Sequence, residues 1–182
     1  ERGSLIPGAS IISDQGLILA ATQPGRPVDP AWWDRLIHKI RHDRPGPETT
    51  VALFGLLQNR YKGIALDDDK LVDAFLSLFE RVSLPPYSYA QFGDYALLKV
   101  GDPDLADQAF VMAIDRSREH PEYARQVVET LRRDGHLRQA RAALAHAHRI
   151  GLLEDMTLAE AGGAPGQSDD AVADVQPAGV AP

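Results

Sequence analysis

The chain has 182 residues, 44% of them hydrophobic and 25% charged, with a formal net charge of −7 and no cysteine, enough apolar material for one domain with its own core. The missing cysteine excludes disulfides, thiolate nucleophiles and cysteine-based metal sites, and fits a reducing or an oxidising compartment alike. No run approaches the roughly eighteen consecutive apolar residues that cross a bilayer, so this chain holds no membrane-spanning helix.

The chain begins at Glu1 rather than Met and reads as a piece of something longer. Residues 1–28 are punctuated by Gly and Pro. Two short apolar runs, Ala9 to Ile12 and Leu17 to Thr22, flank Ser13-Asp14-Gln15-Gly16. This lead-in is either a small hairpin or an extended segment lying on the helices that follow. Asp29-Pro30 is an N-cap followed by a proline at the first helical position. It predicts a helix to about His42, with Trp33, Leu36, Ile37 and Ile40 on one face. Pro45-Gly46-Pro47 breaks the chain before a second helix over about Glu48 to Tyr61, which Gly63 ends. Asp67-Asp68-Asp69 places negative charge at the start of a third helix running to about Val82. Its apolar set, Leu71, Val72, Phe75, Leu78 and Phe79, has the three-and-four spacing of a buried face. The second and third helices are expected to pair.

After Pro85-Pro86 the text repeats itself. Gly101 recurs as Gly135, and at the same offset of 34 residues Leu97 matches Leu131, Ala106 matches Ala140, Phe110 matches Leu144 and Ala113 matches Ala147. Each unit reads as helix, glycine turn, helix. Such a period marks stacked supersecondary units, in which alanines let two helices approach and glycine ends the first helix in a left-handed conformation. These residues resemble tetratricopeptide repeats over about 87–120 and 121–153, although Ala90 and Ala124 stand where that family carries an aromatic residue, and Pro121 falls late for a closing proline. The expected fold is therefore all-α, a short solenoid of antiparallel helix pairs over 29–153.

From Glu154 onward there are six acids and no Lys or Arg, which leaves the rest of the chain near −1. Without a basic stripe, nucleic acid is not an expected partner. The stretch 154–182 reads as an acidic tail too poor in large apolar residues to offset the entropy of ordering.

Candidate chemistry is sparse. His38 and His42 share a helix face but have Lys39 where a zinc protease needs Glu, and no third ligand. His146 and His148 are two apart and point to different sides. Asp67-Asp68-Asp69 and Asp102-x-Asp104 lack the ligand order of a calcium loop. No phosphate loop or nucleophile elbow is present. No metal, cofactor or catalytic residue is expected, and this chain is not expected to be an enzyme. Trp32 and Trp33 are adjacent, so they diverge on a helix, and core packing is expected for both.

The tetratricopeptide resemblance implies a groove along the first helices of the two repeats. Carried over at matching positions, it would present Gln91, Tyr95, Leu98 and Lys99, then Arg125, Glu129, Arg132 and Arg133. The partner-binding set is thus Gln91, Tyr95, Lys99, Arg125, Glu129 and Arg132, a surface suited to a protein or peptide, acidic in character. The expected function is an interaction or scaffold domain within a larger bacterial protein, since 15 Arg against 4 Lys fits a GC-rich genome. Alternatively, the layout resembles the soluble C-terminal region of bacterial polytopic membrane glycan polymerases and glycosyltransferases, the catalytic part lying elsewhere. That reading implies a membrane-bound parent and a periplasm-facing domain, with a cytoplasmic one as the other choice.

Overall fold

The computed structural model describes residues 30–43, 45–63 and 65–157; the lead-in over 1–28 and the tail beyond 157 lie outside them. Among the described residues the chain is all-α, with seven helices and no strand. They are α1 (Pro30–His42), α2 (Pro47–Tyr61), α3 (Asp68–Arg81), α4 (Pro86–Tyr95), α5 (Pro103–Asp115), α6 (Pro121–Arg133) and α7 (Leu137–Arg149). A π-helical turn, Ala96–Val100, prolongs α4 without a break.

Local chemistry explains the boundaries. Proline opens α1, α2, α4, α5 and α6, where its missing N–H costs nothing. Asp67 caps α3 by accepting from the Lys70 amide at 3.1 Å, and Asp102 caps α5 by accepting from the Asp104 and Leu105 amides at 3.1 and 2.9 Å. Gly101 and Gly135 both take the left-handed conformation, φ 78° and 83°, and so end the first helix of each repeat.

α1 packs mainly along α3 and not along α2, and α2 packs on α3 less extensively than α1 does. The pairing expected from chain order is therefore not the dominant one. The reason is in the side chains. Arg41 donates to Asp73 at 2.6 Å and Ser77 at 3.0 Å, and Lys70 donates to Asp34 at 2.7 Å, locking α1 along α3. Between α2 and α3, by contrast, stands the bulk of Phe54 against Phe75, ring centroids 5.1 Å apart. Trp33 is buried as expected; the side chain of Trp32 lies outside the described set.

An aromatic seam joins this front end to the repeats. Phe75 meets Phe92 at 5.1 Å, and Phe79 meets Tyr89 and Phe92 at 4.6 and 5.2 Å. Such edge and tilted contacts add to the burial of large apolar area. Beyond the seam α4 packs on α5, α6 on α7, α4 beside α6, and α5 beside α7. All the period-34 core positions of the second helices, Ala106, Phe110, Ala113, Ala140, Leu144 and Ala147, are buried.

The array closes on its own chain. Gly151 turns back in the left-handed region, the Leu152 amide donates to the Ala147 carbonyl at 2.8 Å, and His148 donates from Nε2 to the Leu153 carbonyl at 2.8 Å. Leu153 and Met156 are buried against the last repeat, so packing continues past the residues where the composition turns acidic.

Candidate functional site

The two helix pairs leave a cleft of about 150 Å³ between α4 and α6, with Phe110 of α5 at its floor. Ala90, Val127 and Leu131 make its walls apolar, Gln91, Gln126 and Thr130 supply polar groups, and Tyr87 and Tyr123 stand at its rim. Both tyrosines are exposed, 60% and 43%, although each is large enough to bury. Its size is that of a single bulky side chain, well below the roughly 300–1,000 Å³ of small-molecule sites.

Asp94 reaches the same cleft from α4. It makes no hydrogen bond or ion pair among the described residues. Burial pushes its carboxyl up to about 6; His136 opposes the shift and Asp134 adds to it. The cost of removing a carboxylate from water without a partner accounts for the direction.

The residues named from the sequence separate into five places. Gln91 lines the cleft. Tyr95 is fully buried, and its hydroxyl donates to Asp68 at 2.7 Å. Lys99 lies over the Tyr61 ring, 5.3 Å from the centroid, a cation–π contact. Arg125 is 2.6 Å from Asp155, beside the C-terminal turn. Glu129 and Arg132 are exposed on α6 and do not line the cleft; Leu98 and Arg133 are exposed as well, Arg133 donating to the adjacent Asp134 at 3.0 Å. None of these cations lines the cleft.

Tyr95 belongs to a part-buried polar knot. Arg60 grips Asp68 with Nε at 2.9 Å and a terminal nitrogen at 2.9 Å, and Tyr95 adds its hydroxyl. Burial pushes the Asp68 carboxyl up, but these hydrogen bonds with the charges of Arg60 and Lys99 more than offset it, and the net direction is down. Burial pushes the Tyr95 phenol up, and its bond to Asp68 adds to that. The knot ties α2, α3 and α4 together, and its groups already satisfy one another.

One residue of register explains why Gln91 lines the cleft while Arg125 and Glu129, its expected counterparts in the second repeat, do not. Pro86 and Pro121, which open α4 and α6, are 35 residues apart, whereas Gly101 and Gly135 are 34 apart. The first repeat holds one extra residue in its first helix, and the π-turn absorbs it. In the second repeat the His136 amide closes on the Leu131 carbonyl at 2.8 Å, a span of five residues; in the first, Asp102 closes on Ala96 at 3.0 Å, a span of six. Before the π-turn the structural match is therefore +35. Tyr89 matches Ala124 and Phe92 matches Val127, all buried. Gln91 then matches Gln126, and Tyr95 matches Thr130, both partners lining the cleft. The proline spacing was the signal that carried this. An offset of one turns a helix position by about 100°, enough to exchange the cleft face for the exposed one.

His38 and His42 lie with ring centroids 4.3 Å apart. His146 donates from Nε2 to Asp115 at 2.9 Å and accepts at Nδ1 from Arg149 at 2.7 Å, joining α7 to α5. Comparison with known protein families, with curated proteins and with solved structures finds no match for this chain.

Proposed function

We propose that this chain is a helical-repeat interaction domain of tetratricopeptide type, part of a larger bacterial protein, which holds an extended segment of a partner against the first helices of its two regular repeats. The observation that carries the reading is the cleft between α4 and α6, apolar within and rimmed by two exposed tyrosines. Exposed aromatic side chains around a pocket are the features that anchor protein partners. Its volume admits one anchor side chain of a peptide, while Gln91, Gln126 and Thr130 offer hydrogen bonds to a peptide backbone. Left-handed glycines at matching turns and buried alanines on the second helices support the repeat assignment.

Selection of random peptides displayed on phage, followed by fluorescence anisotropy with the enriched sequences, tests this. Binding should weaken at least tenfold when Tyr87→Ala and Tyr123→Ala are combined, since both rings are exposed and their loss leaves the core intact. Unchanged affinity in the double variant would remove the cleft as the binding surface.

A further inference from the structure

The half-buried carboxylates of the described residues follow a pattern. Asp68 meets Arg60, Asp73 meets Arg41, Asp107 meets Arg138 and Asp115 meets Arg118. Asp94 alone in this group has no cation. It sits inside a cleft with apolar walls, under a rim of two tyrosines. An unpaired carboxylate in such surroundings is costly, and the missing element is a positive charge brought from outside.

We propose that the α4–α6 cleft binds a lysine or arginine side chain of an extended peptide, with Asp94 as its counter-ion and Tyr87 and Tyr123 framing the cation. The inference rests on the interaction-domain reading and adds the chemistry of its partner. Lysine and arginine are amphipathic: their methylene stems suit apolar walls while the charged head seeks a carboxylate. Ala90, Val127 and Leu131 supply those walls, and tyrosine faces attract cations further. An acidic or neutral side chain would leave Asp94 desolvated and unpaired. The chain's own tail is excluded as occupant by charge, because residues 158–182 contain no Lys or Arg.

The groups facing Asp94 are Tyr61 from α2, and Asp134 and His136 from the turn between α6 and α7. Binding should fall as pH drops through about 6, where Asp94 takes up its proton. His136 faces Asp94, so His136→Gln is the control that assigns the pH dependence to the carboxyl.

The test is NMR titration of the ¹⁵N-labelled full chain with four probes: the amides of Nα-acetyl-arginine, Nα-acetyl-lysine, Nα-acetyl-citrulline and Nα-acetyl-leucine. The two cationic probes should saturably shift the amides of Tyr87, Gln91, Asp94 and Gln126 above neutral pH. Citrulline, which keeps the shape of arginine without the charge, should bind at least tenfold more weakly. Asp94→Asn should cost the cationic probes at least tenfold and leave the leucine probe unchanged, and His136→Gln should keep the acid-side loss of binding. Equal binding of arginine and citrulline, or indifference to Asp94→Asn, overturns the cation proposal. If leucine alone occupies the cleft, the proposal falls while the interaction reading stands; if no probe shifts these residues, both fall.

Discussion

At the scale of single residues, Asp94 and Gly93 sit side by side on α4 and do opposite things. Asp94 holds its proton more tightly folded, at about 6, than an ordinary aspartate near 3.9 would unfolded. Between those values the native state binds more protons than the unfolded chain, so stability falls as pH rises through this window and the penalty is complete above it. Asp94→Asn should therefore raise stability by about 1–2 kcal/mol near pH 8, a figure reduced for the solvent that still reaches the group, and change little near pH 4. Urea melts of both proteins at the two pH values measure this; an equal gain at both would dissociate the effect from titration. Gly93 faces the core, where a Cβ would stand 2.7 Å from Cε1 and 2.9 Å from Cζ of the buried Phe110 ring. The Ala gain in helix propensity, about 1 kcal/mol, is outweighed by overpacking, and Gly93→Ala should cost a net ~1–3 kcal/mol. In a Phe110→Leu background the same change should cost less, because the obstructing ring is gone; additive costs in the double-mutant cycle would contradict the contact.

At the scale of the element, the π-turn of Ala96–Val100 is the feature that sets the repeats out of step. It lets the segment from Pro86 to Gly101 carry one residue more than that from Pro121 to Gly135 while both glycines keep the same cap position. Removing the exposed Leu98 should convert the turn to regular α-helix and be tolerated, with a change within about 2 kcal/mol, since most of the lost residue contacts water. Removing Arg132 from α6, also exposed but lying in a helix with no spare residue, should rotate part of that helix by about 100° and unfold the second repeat. Thermal melts by circular dichroism separate the two deletions. Equal tolerance would show that the extra residue is not what the π-turn absorbs.

At the scale of the whole molecule, the array has no further helix beyond α7 among the described residues, and the turn over 151–156 covers the end of the last repeat. Leu153 accepts a left-handed backbone, φ 55°, to bring its side chain inward, a conformation that an L-residue adopts only when its surroundings compensate. Met156 is 4% exposed, so Met156→Ala should cost about 2–4 kcal/mol although the residue stands at the edge of an acidic, polar stretch. A melting temperature within a degree of the parent would mean the segment adds nothing to the stack. The Arg125–Asp155 pair at 2.6 Å lies on this same closure and, being exposed, should contribute less than about 1 kcal/mol.

The sequence by itself determined what local chemistry controls: the all-α class, helices from Pro30, near Pro47 and from Asp67, the glycine turns, and the buried alanines of the second helices. Caps, prolines and glycines act within a turn of where they stand, and the apolar spacing reports a helix face directly. The separate fates of His146 and His148, one on Asp115 and one on the Leu153 carbonyl, followed from a spacing of two. Tertiary structure alone decided the partner of α3, the closure by Leu153 and Met156, and which side chains share the cleft. Those outcomes depend on contacts across long chain separations and on absolute helix rotation. A 34-residue period fixes rotation only if each repeat has the same number of residues between its proline and its glycine. Here the counts differ by one, the π-turn takes up the difference, and Gln126 and Thr130 stand at the cleft where Arg125 and Glu129 were expected.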